Sequence, residues 1–301
     1  QWSKNRTIYG LLFISLVIAA SYWPYIYYDF GFHNDYTIWE YDNKRCCSSF
    51  VETQHLINIG RFLQAFLQNI FLMYFDSVES FAHGRFLSIF TAIVCSYMLV
   101  CISKKHGLSS SAAYVLGVGT FLLPPAQVNL GWIANYIPGV FNALVAICAI
   151  SIMPNTKTIL QDKKNSVSRL LLTIFLLISC MYIYPPTSGF FLLPALIKAV
   201  SEKYGKLRDY FEIFFYQGIF CFCCLIYFIS HKLFTSYNNI SFPHGSLYQF
   251  EIARDLIPNL TKFVTKVLPV FLNLFIPTAN IFIATLVLIF FFLLRFKGII
   301  R

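Results

Sequence analysis

The chain has 301 residues, of which 57% are hydrophobic, 19% aromatic and only 12% charged, with a formal net charge of +10. Soluble domains carry about 25% charged residues, so this composition excludes an ordinary water-soluble fold and points into lipid. The positive charge does not point to nucleic acid, because it is confined to particular segments rather than gathered in a binding face.

Residues 7–28, 86–103, 107–156, 170–197, 213–230 and 267–294 contain no Asp, Glu, Lys or Arg. A bilayer-spanning helix needs roughly 20 mostly apolar residues, and in lipid only helices satisfy backbone groups over runs of this kind. Strands would alternate polar and apolar residues, and these runs do not. The chain therefore reads as an all-α polytopic membrane protein. Spans are expected at 8–28, 86–103, 110–125, 136–153, 168–184, 187–200, 211–230 and 270–294. The two short spans turn at Tyr184-Pro-Pro-Thr-Ser188, and their length requires a packed setting.

With both termini placed in the cytoplasm, the inside segments hold 15 of the 23 basic residues and only Asp162, Glu202, Asp209 and Glu212 among the 13 acids. This is the positive-inside bias, and contact with anionic lipid follows from it. The first span ends in Trp23, Tyr25, Tyr27 and Tyr28 with no small-residue cleavage site, so it reads as a retained helix with an interfacial belt. The chain opens on Gln and stops just after a span, which reads as a piece of a longer protein.

Two polar outer segments remain, 29–85 and 231–268, within one membrane-embedded domain over 1–301. The first concentrates Asp29, His33, Asp35, Glu40, Asp42, Lys44, Arg45, Glu52, His55 and Arg61. Spacing alone does not separate these from ordinary solvated loop charges. Ser49 and Glu52 have capping-box spacing for a short helix over 50–59, which Gly60 ends. Over 61–75 a second helix has Arg61, Gln64 and Gln68 as a polar stripe among Phe62, Leu63, Phe66, Leu67, Ile70 and Phe71. That pattern predicts an amphipathic helix lying on the membrane surface.

Three stretches, Asn34-Asp35-Tyr36, Gly60-Arg-Phe-Leu63 and Tyr182-Ile-Tyr-Pro-Pro186, resemble short elements of the GT-C superfamily of membrane glycosyltransferases. More narrowly, they resemble the O-antigen glucosyltransferase family associated with serotype conversion. The family's acidic pair is often adjacent, whereas Asn34 precedes Asp35 here, and Pro185 stands where the family's turn has Gln. The resemblance implies transfer of a hexose from a polyprenyl-phosphate donor to a glycan acceptor on the outer face of a bacterial inner membrane. It implies a catalytic carboxylate in the 29–85 loop, with Asp35 first and Asp42 and Asp29 behind it. An acceptor hydroxyl is a weak nucleophile and needs such a base. The leaving phosphate needs cations or donors, for which Arg61, Arg85, Lys44 and Arg45 are the candidates, with Glu52, His55 and Tyr184 completing the substrate-binding set.

Other readings fit parts of the pattern. His83-Gly-Arg85 at the entry to the second span reads as an interfacial anchor or a phosphate contact. His33, His55, Asp35 and Asp42 offer donors for a divalent cation, but without tight ligand spacing, and no metal or cofactor is assigned. Seven of the nine cysteines lie in or beside spans as apolar fillers, and adjacent Cys46-Cys47 does not make a disulfide framework. A flippase for lipid-linked glycans predicts ionisable groups at mid-membrane depth, which the charge-free gaps lack. An O-antigen polymerase remains open through Arg254 and Asp255 in the last outer segment.

Overall fold

A computed structural model describes residues 2–27, 54–72, 74, 78–154, 162–200 and 207–238. All belong to a compact unit, Gln1–Asn239. The expected span at 270–294, the capping box at Ser49 and Glu52, and the Cys46-Cys47 pair lie outside the described residues. Among the described residues the secondary structure is helical.

In chain order the helices are α1 (Trp2–Tyr27), α2 (Phe62–Leu72), α3 (Val78–Lys105), α4 (Ser110–Leu122) and α5 (Pro124–Gly131). A 3-10 turn (Ile133–Asn135) and a π-turn (Ile137–Phe141) lead into α6 (Asn142–Ile152) and α7 (Lys163–Ile183). A jointed arm follows, made of α8 (Pro185–Ser188), a 3-10 turn (Gly189–Leu192) and α9 (Leu193–Val200), and α10 (Leu207–Tyr237) closes the unit.

Among the described residues five segments are long and apolar enough to cross a membrane: Ile8–Tyr25, Ser80–Lys105, Ile133–Ile152, Lys164–Ile183 and Phe211–Tyr237. Two expected spans take another form. The segment read as 110–125 is a helix of 13 residues, ended by the Pro124-Pro125 pair that opens α5. The segment read as 187–200 is broken into the jointed arm, because Pro185 and Pro186 have no N–H to continue α7.

The segment Ile133–Ile152 is 72% buried and Phe211–Tyr237 only 17%, so α6 and the π-turn form the centre and α10 the periphery. The core runs from Ile14 and Ile18 of α1 through Ala92, Cys95 and Leu99 of α3 to Ile147 of α6 and Leu177 of α7. Close approach of α3 and α4 rests on Gly117, where an added Cβ would lie 2.8 Å from the Ser96 carbonyl oxygen. The Ser96 hydroxyl donates to the Gly117 carbonyl at 2.9 Å, locking the same crossing.

At the far end of α3, Gly107 adopts φ 94° and Leu108 N–H donates to the Ser103 carbonyl at 3.0 Å. That is a Schellman stop, which satisfies carbonyls the helix end would leave orphaned. Just beyond α3, His106 is buried beside Lys198 of α9, and Lys198 forms an ion pair with Glu212 of α10. Burial, then the charges of Lys198 and Lys105, push the His106 imidazole down to about 4.

Candidate functional site

The site is built around the place where α7 stops. Tyr184 leaves the helix in extended conformation (φ −157°, ψ 102°), and the two prolines start the next turn. Such a break exposes carbonyls at bundle depth, and buried carbonyls need donors. Here Tyr184 N–H serves the Cys180 carbonyl and Thr187 N–H the Tyr184 carbonyl, and Asn142, fully buried at the start of α6, adds a side-chain donor to both. Its side-chain amide nitrogen, with two hydrogens to share, lies 3.1 Å from the Cys180 carbonyl and 2.9 Å from the Tyr184 carbonyl, and also contacts the Thr187 hydroxyl. The Thr187 oxygen lies 3.0 Å from the Tyr184 carbonyl and 3.2 Å from the Pro138 carbonyl. One asparagine thus fastens the end of α7, the π-turn and α8 together.

A second chain segment comes down on this break. The helical stretch at 54–58 ends at Gly60, whose φ is 81°, and Arg61 N–H donates back to the Leu56 carbonyl at 2.8 Å. Glycine is required there twice over. An L-residue is strained at that φ, and a Cβ would lie 2.7 Å from His231 Nδ1 and 3.0 Å from the Tyr227 hydroxyl. The tight turn delivers Arg61 onto Tyr184, guanidinium carbon 4.6 Å from the ring centroid. That is cation–π distance. Phe62 packs on Tyr182 with centroids 4.1 Å apart, Tyr182 meets Tyr227 edge-on at 5.3 Å, and Tyr227 stacks on His231 at 6.1 Å. The Tyr182 and Ser230 hydroxyls are hydrogen-bonded.

Helix α2 continues over α7 and the π-turn. Phe71 stacks on Tyr136 at 4.6 Å, and Leu63 and Leu67 pack with Ile183 and Tyr184. The Thr91 hydroxyl donates to the Leu87 carbonyl at 2.8 Å, so the Tyr136 hydroxyl is the donor in its 3.3 Å contact with Thr91. The polar stripe is turned the opposite way from a helix floating on a surface. Gln64 and Gln68 are 5% and 9% exposed, while Phe62, Phe66 and Ile70 are open. The small Ala65 lies on the same buried face as the glutamines. Helical spacing shows which residues share a face, but not which face meets protein.

An apolar cavity of about 190 Å³ lies on the other side of the break, lined by Thr120, Phe121, Asn129, Gly139, Val140 and Thr187 among others. Thr187 therefore belongs both to the hinge and to the cavity wall.

Of the expected site residues, Arg61 and Tyr184 are brought together. Arg85 is elsewhere employed: it is 1% exposed, its Nη1 donates to the Tyr25 carbonyl at 2.9 Å, and its Nε lies 3.3 Å from the Phe81 carbonyl. It ties α3 to the end of α1. His55 is exposed, and its carbonyl accepts from Ile59 N–H at 3.0 Å. Asp29, Asp35, Asp42, Lys44, Arg45 and Glu52 lie outside the described residues. Tyr182, Tyr227, His231 and Asn142 were not in the sequence-derived set. Nothing in the pattern of α10 marks Tyr227 or His231, since their relevance comes from contact with Gly60. Asn142 carried one legible signal, a lone amide at the start of an apolar run. Among the described residues no three His, Cys, Asp or Glu side chains gather as a metal site.

No known family pattern matches the chain. No curated protein and no solved structure matches it either.

Proposed function

We propose that this chain is a multi-pass membrane glycosyltransferase of GT-C type, moving a sugar from a polyprenyl-phosphate donor to a glycan acceptor on the outer face of a bacterial inner membrane. One observation carries the reading. Two short stretches that bear the family resemblance, Gly60-Arg-Phe-Leu63 and Tyr182-Ile-Tyr-Pro-Pro186, lie far apart in sequence yet meet residue on residue, Arg61 on Tyr184 and Phe62 on Tyr182. Independent short matches have no reason to converge in space.

On this reading the chain threads the bilayer with both termini in the cytoplasm. The end of α7, α2 and the outer end of α10 then surround the reaction at the outer surface. The jointed arm returns across the bilayer as a short span after α7, which keeps the parity of an eight-span topology. Arg61 is a suitable phosphate ligand. Its Nε is buried without a hydrogen-bond partner, and its guanidinium rests on an aromatic face rather than on a carboxylate. A lipid phosphate would give it charge-assisted bonds.

In the transfer step a loop carboxylate, Asp35 by preference, takes the proton of the acceptor hydroxyl as its oxygen attacks the anomeric carbon. The bond from that carbon to the phosphate oxygen breaks, and the electron pair leaves with the polyprenyl phosphate. Attack from the face opposite the phosphate inverts the anomeric centre.

The test is transfer of radiolabelled glucose from polyprenyl-phosphate glucose to membrane glycan by the purified full chain. Asp35→Asn is expected to abolish transfer while the protein accumulates normally, and Arg61→Ala to reduce it by about 100-fold. Full transfer by both variants refutes the assignment.

A further inference from the structure

Helix α2 buries amides where a helix of this composition has apolar alternatives at hand. Gln64 Nε2 donates to Gln68 Oε1 at 3.0 Å, which leaves Gln64 Oε1 buried with no hydrogen-bond partner. Exchanging the two amide atoms of Gln64 would only change which of them is orphaned. A buried carbonyl without a donor is destabilising, and folded proteins retain such groups chiefly where water or a ligand meets them. Gln64 is 5% exposed, so bulk solvent does not serve it. Three residues earlier, just before the start of α2, lies Arg61, whose Nε is also buried without a hydrogen-bond partner. Ala65 N–H donates to the Arg61 carbonyl at 3.0 Å, so the first turn of α2 starts from Arg61 and carries Gln64 three residues on. That separation suits a ligand with an anionic group joined directly to a hydroxylated one.

We infer that Gln64, with Gln68 holding its amide, is a sugar-binding residue that accepts a hydrogen bond from a hydroxyl of the sugar carried on the donor lipid phosphate. This rests on the glycosyltransferase reading and assigns a part of that site which the family resemblance does not. Arg61 takes the phosphate and Gln64 the sugar attached to it. In that hydrogen bond Gln64 Nε2 is the donor to Gln68 Oε1, which leaves the carbonyl as the free end. Phe62, Phe66 and Ile70 on the opposite face leave the polar stripe no other surface to serve.

The experiment compares the purified full chain with Gln64→Met in binding two probes, polyprenyl-phosphate glucose and polyprenyl phosphate without sugar, alongside thermal unfolding. Methionine keeps the length and volume and removes the orphaned Gln64 carbonyl while taking the donor from Gln68 Oε1, so the midpoint of unfolding is expected to change little. Binding of the glucosylated lipid is expected to weaken about tenfold, and binding of the bare lipid phosphate to stay unchanged. Arg61→Ala weakens both probes alike. Gln64→Asn keeps the amide but withdraws it by a methylene, and gives the same selective loss. Equal binding of both probes by Gln64→Met and wild type overturns the inference, since the amide is then met by water alone. A parallel loss of both probes overturns it too, by showing a structural role. Failure of the wild-type chain to bind either lipid is a separate result and removes the glycosyltransferase reading itself.

Discussion

Arg61 rests its guanidinium on the ring of Tyr184, 4.6 Å from carbon to centroid, and by this contact the start of α2 is held to the broken end of α7. A cation on an aromatic face keeps its charge available, whereas a cation in a salt bridge is already neutralised. On the proposed function, replacing Tyr184 by Leu is therefore expected to raise the KM for the lipid donor by about fivefold, corresponding to roughly 1 kcal/mol of cation–π energy, with a smaller effect on kcat. Tyr184→Phe, which retains the ring face, should behave nearly as wild type. Steady-state kinetics of sugar transfer on the two variants checks the contrast.

Gly60 sets where Arg61 arrives. Ala at φ 81° is strained, and its Cβ would press on His231 Nδ1 at 2.7 Å. Gly60→Ala is expected to lower stability by about 1–2 kcal/mol and to reduce transfer. Adding His231→Ala clears the steric part and leaves the backbone strain, so the double variant should regain stability only in part. Thermal melts of the single and double variants decide this.

Asn142 bridges the elements on either side of the Pro185-Pro186 break by adding a donor to the Cys180 and Tyr184 carbonyls. Asn142→Leu should destabilise by about 1–2 kcal/mol, because the Cys180 and Tyr184 carbonyls, which also accept from the Tyr184 and Thr187 N–H groups, lose a second donor in a buried site. Chemical or thermal unfolding in detergent measures it, and a change under 1 kcal/mol would show that the hinge is held by packing alone.

Lys198 and Glu212 form an ion pair with 5% and 16% side-chain exposure, joining the jointed arm to α10. Removing one partner strands a charge, so Glu212→Gln is expected to cost about 3 kcal/mol. The double variant Lys198→Met with Glu212→Leu should recover most of that, since an apolar pair of similar volume avoids the desolvation of both ions. A double-mutant cycle on unfolding free energy reads out the coupling.

His106 gives a pH signature. Its imidazole is held down to about 4 in the fold, against an ordinary value of 6.5. Between those values the unfolded chain binds more protons than the folded one, so stability falls as pH is lowered through the window from 6.5 towards 4. His106→Gln is expected to flatten that part of the stability profile while leaving the value at pH 8 close to wild type. A profile of unchanged slope would place the titration elsewhere.

Much of the helical layout could be read directly. The charge-free runs correspond to long apolar helices at α1, α3, the Ile133–Ile152 segment, α7 and α10, because a run of apolar residues without charge constrains the backbone whatever it packs against. The Tyr184-Pro-Pro turn was legible for the same kind of reason: proline removes a donor locally. The length of α4 was less so, since Pro124-Pro125 could as well have sat beyond a completed crossing. Gly60 was readable as a helix stop, but its second role against His231 was not, because that contact depends on where α10 lies.

By itself, then, the sequence determined an all-helical chain, apolar helices of membrane-crossing length, and the positions where proline and glycine interrupt them. These follow from local chemistry: hydropathy, missing N–H groups and permitted φ. Tertiary structure alone decided that Arg61 meets Tyr184, that Arg85 is committed to the carbonyls of Tyr25 and Phe81, and that Gln64 and Gln68 face the protein rather than water. Each of these depends on which helix face finds a neighbour. A periodic stripe fixes only which residues lie together, and the packing of α2 on α7 turned the polar side inward.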